Sequence, residues 1–557
     1  MRDLITEQVE FMTKSAKCII VIFIIILSMG TALWPIPSIA LEDHECYVAI
    51  TAREMLQKDN WVIPTCNGEL RLQKTPLSYW LVAGLAKITG RVDEITARLP
   101  SLILGVLSVG AIIYFVSQWL SFRIAALSAC LWATSLGYIR YSVNARPEMA
   151  LAFFVTLCFL SFYSAITASS RKRQVIYILI FWLSFGLGML AKGPAPLLYI
   201  SIPLFCYVAV FRKWKVIPKL LPVIGPVIFL AIVLPWPLLI ARKVNWDLTV
   251  WKHEFVDRLF GTYRSGDKPI YYYLYVMFQF MTPWFVFLPM ALAAPFYKAW
   301  DEKRRPMMFL WLWFVADFLF LTLDGGKRQH YILPLMPAIA IVIGILIEDM
   351  VFSRKVYTQR YAVGIFVTHI AAIVIFIIAG VIYIARANHE ILADIIILGT
   401  ITLISIAIVC VLFAKRKPSI ALGVILASII VLVDISYIRI FIPTDYNRYS
   451  RDFSSKVSQI VPLPNRLVSY KKVSARFVQY FGRVVPEIED GNELLKHYQN
   501  GGWIVAMDND LKELEKSKSF AEVFYQEKTD RQGLENVPGA LFHKPDSLLL
   551  LPDKNIR

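Results

Sequence analysis

Long apolar runs alternate with short polar segments from residue 17 to about residue 443. A helix that crosses a bilayer needs ~20 mostly apolar residues. The pattern predicts thirteen such spans, near residues 17–38, 99–119, 123–141, 149–169, 175–191, 195–211, 220–241, 271–296, 307–323, 331–350, 361–385, 391–413 and 419–442. The predicted fold class is therefore an α-helical polytopic membrane protein. Two neighbouring runs are short and interrupted by Gly or Pro, which leaves the count open by one or two.

Basic residues between the spans predict how the chain is oriented. Cytoplasmic loops carry an excess of Lys and Arg. With the N-terminus inside, five basic clusters fall on the cytoplasmic side, at residues 171–173, 212–215, 303–305, 354–355 and 415–417. Shifting the count by one span would break this pattern. We therefore expect the C-terminus outside, together with two long outer loops at about residues 39–98 and 242–270.

The chain becomes polar after residue 443, which predicts a second domain. Strand-like runs at 467–470 and 503–507 alternate with helical runs at 492–498 and 511–516. Such alternation is typical of an α/β domain. We expect a transmembrane domain over 1–443 and a small soluble α/β domain, on the outer side, over 444–557.

Composition and charge narrow the function classes. The chain is 57% hydrophobic and 18% charged, whereas soluble proteins carry about 45–50% apolar and roughly 25% charged residues. The net charge of +17 is placed mostly between spans, with no nucleic-acid motif, so we expect no nucleic-acid partner. The chain has neither a Walker A nor a Rossmann motif. A GxSxG nucleophile elbow is absent as well.

Charged side chains at membrane depth are costly and indicate function. Four groups lie at predicted outer span ends, at residues 43–45, 146–148, 192 and 327–331. Acidic side chains act as general bases or hold cations, and Lys and Arg bind phosphate. The set suits a lipid-linked phosphate donor. Each group also has a structural explanation, as solvated loop charge, helix N-terminus or interfacial anchor.

The first outer loop carries the most distinctive motif. It reads TAREML at 51–56, NWVIP at 60–64, NG at 67–68 and QKTPLSYW at 73–80. This run resembles the first periplasmic loop of the aminoarabinose lipid A transferases (glycosyltransferase family 83), which are related to protein O-mannosyltransferases. Further matches are ARLP at 97–100, RPEM at 146–149, LAKGP at 190–194, HE at 253–254 and YILP at 331–334.

The resemblance implies a GT-C membrane glycosyltransferase of the bacterial inner membrane, with its active site on the periplasmic face. Such an enzyme moves a sugar from an undecaprenyl-phosphate donor to a lipid or protein acceptor, with inversion. The family's first acid corresponds to Asp43 or Glu45. Counting forward to Tyr47 favours Asp43, whereas counting back from Arg53 comes closer to Glu45, so the choice stays open. Its second acid, usually Asp, corresponds to Glu148. Implied donor or acceptor contacts are Arg53, Lys74, Tyr79, Arg146, Lys192, Arg258, Lys327, Arg328 and Tyr331.

The sequence leaves the sugar, the acceptor, the cation and one disulfide open. The sugar is aminoarabinose or another pentose or hexose, and the acceptor is lipid A, another lipid or a protein. No cofactor is certain; a divalent cation, if present, would be held by Glu45 or Glu148. A disulfide between Cys46 and Cys66 is a further alternative. A lipid or sugar transporter is the less favoured function, because polar residues within spans are sparse and no internal repeat is visible.

Overall fold

The computed structural model describes residues 13–33, 36–244, 252, 268–353, 359–387, 391–443, 445, 447–461, 463, 467–506, 523–526 and 540–542. These residues fall into two compact units. The membrane unit contains residues up to Ile36, Leu72–Ser78 and Arg98–Ile440. The second unit, called the outer unit after its predicted location, contains Pro37–Arg71, Tyr79–Ala97 and the residues from Phe441 onward.

The described α-helices are, in chain order, α1 (Lys14–Leu33), α2 (Asp43–Gln57), α3 (Leu77–Thr89), α4 (Glu94–Trp119), α5 (Phe122–Ala133), α6 (Leu136–Ser142), α7 (Glu148–Thr167), α8 (Arg171–Lys192), α9 (Ala195–Val210), α10 (Ile224–Val233), α11 (Pro235–Lys243), α12 (Tyr272–Phe280), α13 (Leu288–Ala293), α14 (Arg304–Leu323), α15 (Met336–Ile347), α16 (Gln359–Ala387), α17 (Leu392–Ala414), α18 (Pro418–Ser436), α19 (Asn447–Ile460), α20 (Ala475–Phe481) and α21 (Gly491–Gln499). The strands are β1 (Thr65–Cys66), β2 (Glu69–Leu70), β3 (Leu467–Tyr470), β4 (Glu487–Ile488), β5 (Trp503–Ala506), β6 (Val523–Gln526) and β7 (Ala540–Phe542).

Each predicted span coincides with helical structure. Within the described ranges, ten helices are long and apolar enough to cross a membrane, and α5 with α6 forms an eleventh that is bent by 62°. The other two predicted spans appear as the shorter helix α9 and as broken helical pieces between Tyr272 and Phe296. The run at 175–191, predicted to be short, belongs to the 22-residue helix α8. The polytopic fold class is confirmed.

Two helices form the centre of the membrane unit. Every residue of α15 is buried, and so is nearly all of α7. Aromatic rings fill the space beside α7, where Phe159 stacks on Trp313 with ring centroids 4.3 Å apart. Gly344 lets α15 approach α5 closely, because a Cβ there would meet the Ser128 backbone nitrogen at 3.0 Å. Small residues at such crossings are typical of membrane helix packing.

The outer unit contains the predicted α/β structure. Its five-stranded sheet has the order β4-β3-β5-β7-β6. Strand β3 is parallel to β4 and β5, and β7 is antiparallel to β5 and β6. The α/β prediction is confirmed, while the helix predicted at 511–516 lies outside the described residues.

The first loop folds together with the residues after 440. Its hairpin β1–β2 turns through Asn67 and Gly68, both with positive φ (54° and 83°), as a two-residue hairpin turn requires. The Asn67 side chain donates to the Val485 carbonyl and accepts from the Val485 amide, both at 2.8 Å. The Ala40 amide donates to Asp445 Oδ2 at 2.8 Å. The compact unit is thus discontinuous in sequence, whereas the boundary predicted at 443/444 separates only the C-terminal part.

An ionic contact joins the helical turn after α15 (Glu348–Phe352) to the segment before α14. The Asp349 side chain is fully buried and accepts hydrogen bonds from Lys303 Nζ at 2.5 Å and Trp300 Nε1 at 2.8 Å. A buried carboxylate is tolerated only when its charge is paired and its oxygens are hydrogen-bonded.

We expect Asp349→Ala to lower the free energy of unfolding in mixed micelles by about 3–5 kcal/mol, because Lys303 and Trp300 lose their acceptor. Asp301→Ala is the matched control. Asp301 pairs with Arg304 at 2.7 Å but is 57% exposed, so its loss should cost less than about 1 kcal/mol. Equal effects of the two substitutions would contradict the assignment.

Candidate functional site

Glu148 is the centre of a charged cluster in the membrane unit. It is the first residue of α7, directly after Pro147. Only 4% of its side chain is exposed, and its Oε1 lies 3.1 Å from Lys192 Nζ, 3.4 Å from His330 Nε2 and 3.5 Å from Arg146 Nη2. These cations stabilise the Glu148 carboxylate, and the positive end of the α7 dipole adds to their effect. We call these four side chains the Glu148 cluster.

The end of α8 carries Lys192 into the cluster. Gly193 follows with φ 62°, a conformation that glycine adopts without a Cβ penalty. Its amide donates to Thr75 Oγ1 at 2.9 Å. This hydrogen bond holds the segment that carries Lys74, whose charge acts on Lys192. Predicted residues far apart in sequence therefore meet here.

The segment before α15 supplies the remaining wall. His330 is buried, and the Tyr331 ring lies 5.6 Å from Lys192 Nζ. Tyr199 fixes the Tyr331 backbone by donating to its carbonyl at 2.7 Å. The Tyr273 hydroxyl accepts from the Arg328 amide at 3.1 Å and donates to the Arg328 carbonyl at 3.2 Å. This wall is positioned through backbone contacts.

Lys327 makes a local contact. Its Nζ donates to the Asp324 carbonyl at 2.9 Å. Burial raises the pKa of the Asp324 carboxyl, against the opposing influence of the Gly326 amide and the Lys327 charge. Arg258 lies outside the described residues, as does the His253–Glu254 pair. Of the expected basic contacts, the structure gathers Arg146 and Lys192 most closely.

Positive charge dominates the surroundings of the Glu148 carboxylate. One acid contacts Arg146, Lys192 and His330, and the charge of Arg328 also acts on His330. This donor set suits an anion better than a divalent cation, which prefers several oxygen ligands. Within the described part of the chain, no group of three His, Cys, Asp or Glu side chains converges as a metal site.

The two first-loop acids have different environments. Glu45 is 1% exposed, and its Oε2 accepts from the Glu42 amide at 3.0 Å in a capping box at the start of α2. Asp43 is half exposed and pairs with Arg476, with Nε–Oδ1 at 2.9 Å and Nη2–Oδ2 at 3.3 Å. Glu45 thus serves the helix itself, whereas Asp43 reaches solvent.

Arg53 and Tyr79 lie inside the outer unit. The Arg53 guanidinium donates to the carbonyls of Val478 at 2.9 Å and Gln479 at 2.7 Å, near the end of α20. Burial lowers the pKa of Arg53, although the Glu54 charge opposes this. Tyr79 packs into an apolar cluster with Val48, Ala52 and Met55. These contacts serve packing; a role in substrate binding stays a prediction.

Two residues that contact predicted acids were not themselves predicted site residues: His330 beside Glu148 and Arg476 beside Asp43. His330 lies between the predicted Arg328 and Tyr331, yet its neutral ring gave no charge signal of its own. Arg476 lies 433 residues after Asp43, in a domain for which the sequence offered no motif. Only the folded chain reveals either pairing.

Comparisons with known proteins agree with this fold. Residues 73–238 match the family model described as dolichyl-phosphate-mannose-protein mannosyltransferase. An uncharacterised protein of Aquifex aeolicus is 31% identical over 307 residues, which cover 54% of this chain and 58% of that protein. The undecaprenyl phosphate-alpha-4-amino-4-deoxy-L-arabinose arabinosyl transferase of Pseudomonas aeruginosa is 28% identical over 312 residues, 55% of each chain. The matched part thus spans little more than half the length of these relatives.

The solved structures extend the likeness to nearly the whole chain. The crystal structure of ArnT from Cupriavidus metallidurans bound to undecaprenyl phosphate superposes with a TM-score of 0.80 at 18% identity, covering 95% of this chain and 98% of that one. The fold is therefore that of the GT-C membrane glycosyltransferases. More particularly, the chain resembles the aminoarabinose lipid A transferases in sequence and in fold, and its apolar helices indicate a multi-pass membrane protein.

The alternative of a disulfide between Cys46 and Cys66 does not hold, since both are free thiols in the structure. Cys46 is buried, and its Sγ lies 3.6 Å from the Leu41 carbonyl. Burial raises the pKa of the Cys66 thiol to about 11, although the nearby Arg71 charge favours the thiolate. A raised pKa leaves little reactive thiolate at neutral pH.

We expect Cys66 to react with iodoacetamide at least about tenfold more slowly than glutathione at pH 8, because its thiolate fraction is much smaller. The rate should rise with pH and level off only above the raised pKa. Peptide mass spectrometry after timed labelling measures it, with Cys66→Ser identifying the peptide. A rate that levels off near pH 9 would disprove the burial argument.

Proposed function

We propose that the protein transfers a sugar from a polyprenyl-phosphate donor to a lipid acceptor on the periplasmic face of the inner membrane. The Glu148 cluster is the observation that carries this proposal. It places cations around a buried carboxylate at the ends of membrane helices, where the phosphate of a membrane-bound donor would lie. Arg and Lys are suited to phosphate through charge-assisted hydrogen bonds. The similarity to arabinosyl transferases makes aminoarabinose the first sugar to test and lipid A the first acceptor.

The chemistry would be a single displacement at the anomeric carbon. The acceptor oxygen attacks opposite the phosphate, the anomeric carbon–oxygen bond breaks, and its electron pair leaves with the polyprenyl phosphate. Lys192 and Lys74 would stabilise the charge on that leaving group. Because the attack comes from the face opposite the leaving phosphate, the anomeric configuration inverts. Where the acceptor is a hydroxyl, its proton passes to a carboxylate.

Asp43 is the better candidate for the accepting carboxylate. A general base must reach the proton that it removes, and Asp43 is half exposed. Glu45 is buried, with an oxygen engaged by the Glu42 amide. Glu148 would orient the acceptor or balance the positive charge of its neighbours. Arg53 would stabilise the first loop through its hydrogen bonds to the carbonyls of Val478 and Gln479.

A protein acceptor is the second candidate function. It is favoured by the match of residues 73–238 to the protein mannosyltransferase model. The reaction at the donor would be the same, so the acceptor alone distinguishes the two. Transport of a lipid or sugar is less well supported, because the polar residues of the Glu148 cluster gather at helix ends.

The decisive experiment supplies radiolabelled short-chain polyprenyl-phosphate sugars to purified protein with extracted membrane lipid or protein. We expect label in lipid, and its loss in Lys74→Ala and in the double variant Asp43→Ala/Glu45→Ala. Label in protein would move the enzyme to the protein O-glycosylation branch. Full transfer by the double variant would refute the proposed mechanism. Carrier flipping in liposomes without transfer would favour the transporter.

We expect Asp43→Asn to lower kcat by about 100-fold or more, the range typical of a lost general base. Glu45→Gln keeps an oxygen that accepts from the Glu42 amide, so its kcat should stay within a few-fold of the wild type. Single-turnover transfer assays measure both, and circular dichroism controls for folding. The reverse ranking would assign the base to Glu45.

We expect Lys192→Met to lower kcat/KM for the donor by about 10-fold to 100-fold, the value of a hydrogen bond to a charged group. Lys87→Met is the matched control, since Lys87 is an exposed lysine in the last turn of α3. Donor titrations in detergent measure both variants. If Lys87→Met reduces kcat/KM equally, the effect is one of overall charge and not of the Glu148 cluster.

A further inference from the structure

A cavity of about 430 Å³ lies in the membrane unit, away from the Glu148 cluster. It is bounded by α16, α17 and α18, by the end of α15 at Ile347 and by Trp284. The opposite end of α15 adjoins the segment that carries His330. No residue of the Glu148 cluster lines the cavity, so it belongs to another part of the bundle.

The cavity offers few groups to a polar ligand. Its hydroxyl groups donate to carbonyls of their own helices, as Thr402 does to Leu398 and Ser405 to Ile401, each at 2.8 Å. Ser428 donates to the Val424 carbonyl at 2.7 Å. The His369 ring lies 6.2 Å from the Phe285 ring at an angle of 25°, and its Nδ1 has no hydrogen-bond partner among the described residues. Because the remaining lining is mainly aliphatic and aromatic, hydrocarbon is the matching occupant.

The length of the cavity indicates a lipid chain, and the charge near one end indicates an anionic headgroup. Its lining runs along α18 from Pro418 to Leu432, about 21 Å at the rise of an α-helix. One leaflet of a bilayer core is ~15 Å deep, so the acyl chain of a single lipid would fill most of the length of the cavity. Lys415, Arg416 and Lys417, all exposed, precede Pro418 directly. Basic groups beside membrane helices bind anionic headgroups.

We propose that this cavity holds an acyl chain of an anionic phospholipid, whose headgroup binds the Lys415–Lys417 turn. The site is separate from donor binding, because the predicted topology places the turn on the cytoplasmic side. A bound chain would fill the space between α16, α17 and α18 and so stabilise their packing. This proposal does not depend on the proposed transferase function.

Native mass spectrometry of the full chain tests the site after reconstitution into vesicles of phosphatidylethanolamine and phosphatidylglycerol in equal amounts, followed by extraction in mild detergent. We expect phosphatidylglycerol to be retained by the wild type and reduced about tenfold by Ile406→Trp, which fills the cavity. Ile404→Trp is the matched control, because Ile404 is 56% exposed and does not line the cavity. Equal retention by the two variants would overturn the proposal.

The headgroup is tested by replacing Lys415, Arg416 and Lys417 together with Gln. We expect the preference for phosphatidylglycerol over phosphatidylethanolamine to fall about tenfold or more. Replacing Arg171, Lys172 and Arg173 with Gln removes the same charge elsewhere and should leave the preference unchanged. Retention of polyprenyl phosphate in place of phospholipid, or an unchanged preference, would contradict the assignment.

A second observation assigns a role to the C-terminal domain. We infer that Arg476 is a positioning residue for Asp43, and this inference rests on the proposed function. Its guanidinium contacts both carboxylate oxygens and also donates to Asn447 Oδ1. A bidentate pair fixes a carboxylate in direction as well as place. The C-terminal domain would thereby hold the first-loop acid in the orientation that catalysis requires.

Transfer kinetics of Arg476→Gln and Arg476→Lys test this role. We expect Gln to lower kcat at least tenfold with little change in donor KM, and Lys to restore part of it. Arg483→Gln is the control, since Arg483 donates only to a backbone carbonyl among its described hydrogen bonds, that of Val461 at 2.8 Å. Wild-type transfer with normal kcat in Arg476→Gln would refute the positioning role alone. Absence of wild-type transfer would instead refute the proposed function.

Discussion

The buried negative charge of Glu148 is the constraint on which the arrangement of the membrane unit depends. A carboxylate out of contact with water is stable only beside compensating charge and hydrogen-bond donors. Arg146, Lys192 and His330 supply these from the start of α7, the end of α8 and the segment before α15. Compensating the charge of one acid therefore brings three chain segments together, all through its Oε1. The same convergence leaves an excess of positive charge, so the contact that stabilises the fold also suits the anion of the proposed donor.

The bilayer explains why the charged side chains of the Glu148 cluster lie at helix ends. Backbone groups in hydrocarbon must be paired internally, which favours uninterrupted helices through the core. Irregular backbone and charged side chains are then concentrated where helices begin and end. Gly193 and Pro147 mark two such ends, and each directly adjoins a charged member of the cluster. In the outer unit, irregular backbone is not restricted to helix ends. The first loop is held there by hydrogen bonds to residues after 440.

The spans were predictable because their signal is additive over about twenty residues. A single interruption, such as the break between α5 and α6, does not erase it. The α/β character of the C-terminal residues was predictable for a similar reason, from local alternation. The pairing of Asp43 with Arg476 was not, since it joins residues 433 positions apart through an exposed contact. His330 lies in the group predicted at 327–331, but its own role was not predicted, because that role comes only from the carboxylate beside it.

The choice between Asp43 and Glu45 illustrates what geometry adds to resemblance. Spacing from Tyr47 and from Arg53 pointed to different acids, because the motif differs by one residue from the family pattern. The structure separates them by environment. Glu45 completes a capping box at the N-terminus of α2, a role that acidic residues at this helix position commonly take. Asp43 has no part in that box, and its carboxylate faces both a guanidinium and solvent. Asp43 is therefore the more accessible of the two acids, and its role as the base stays a proposal.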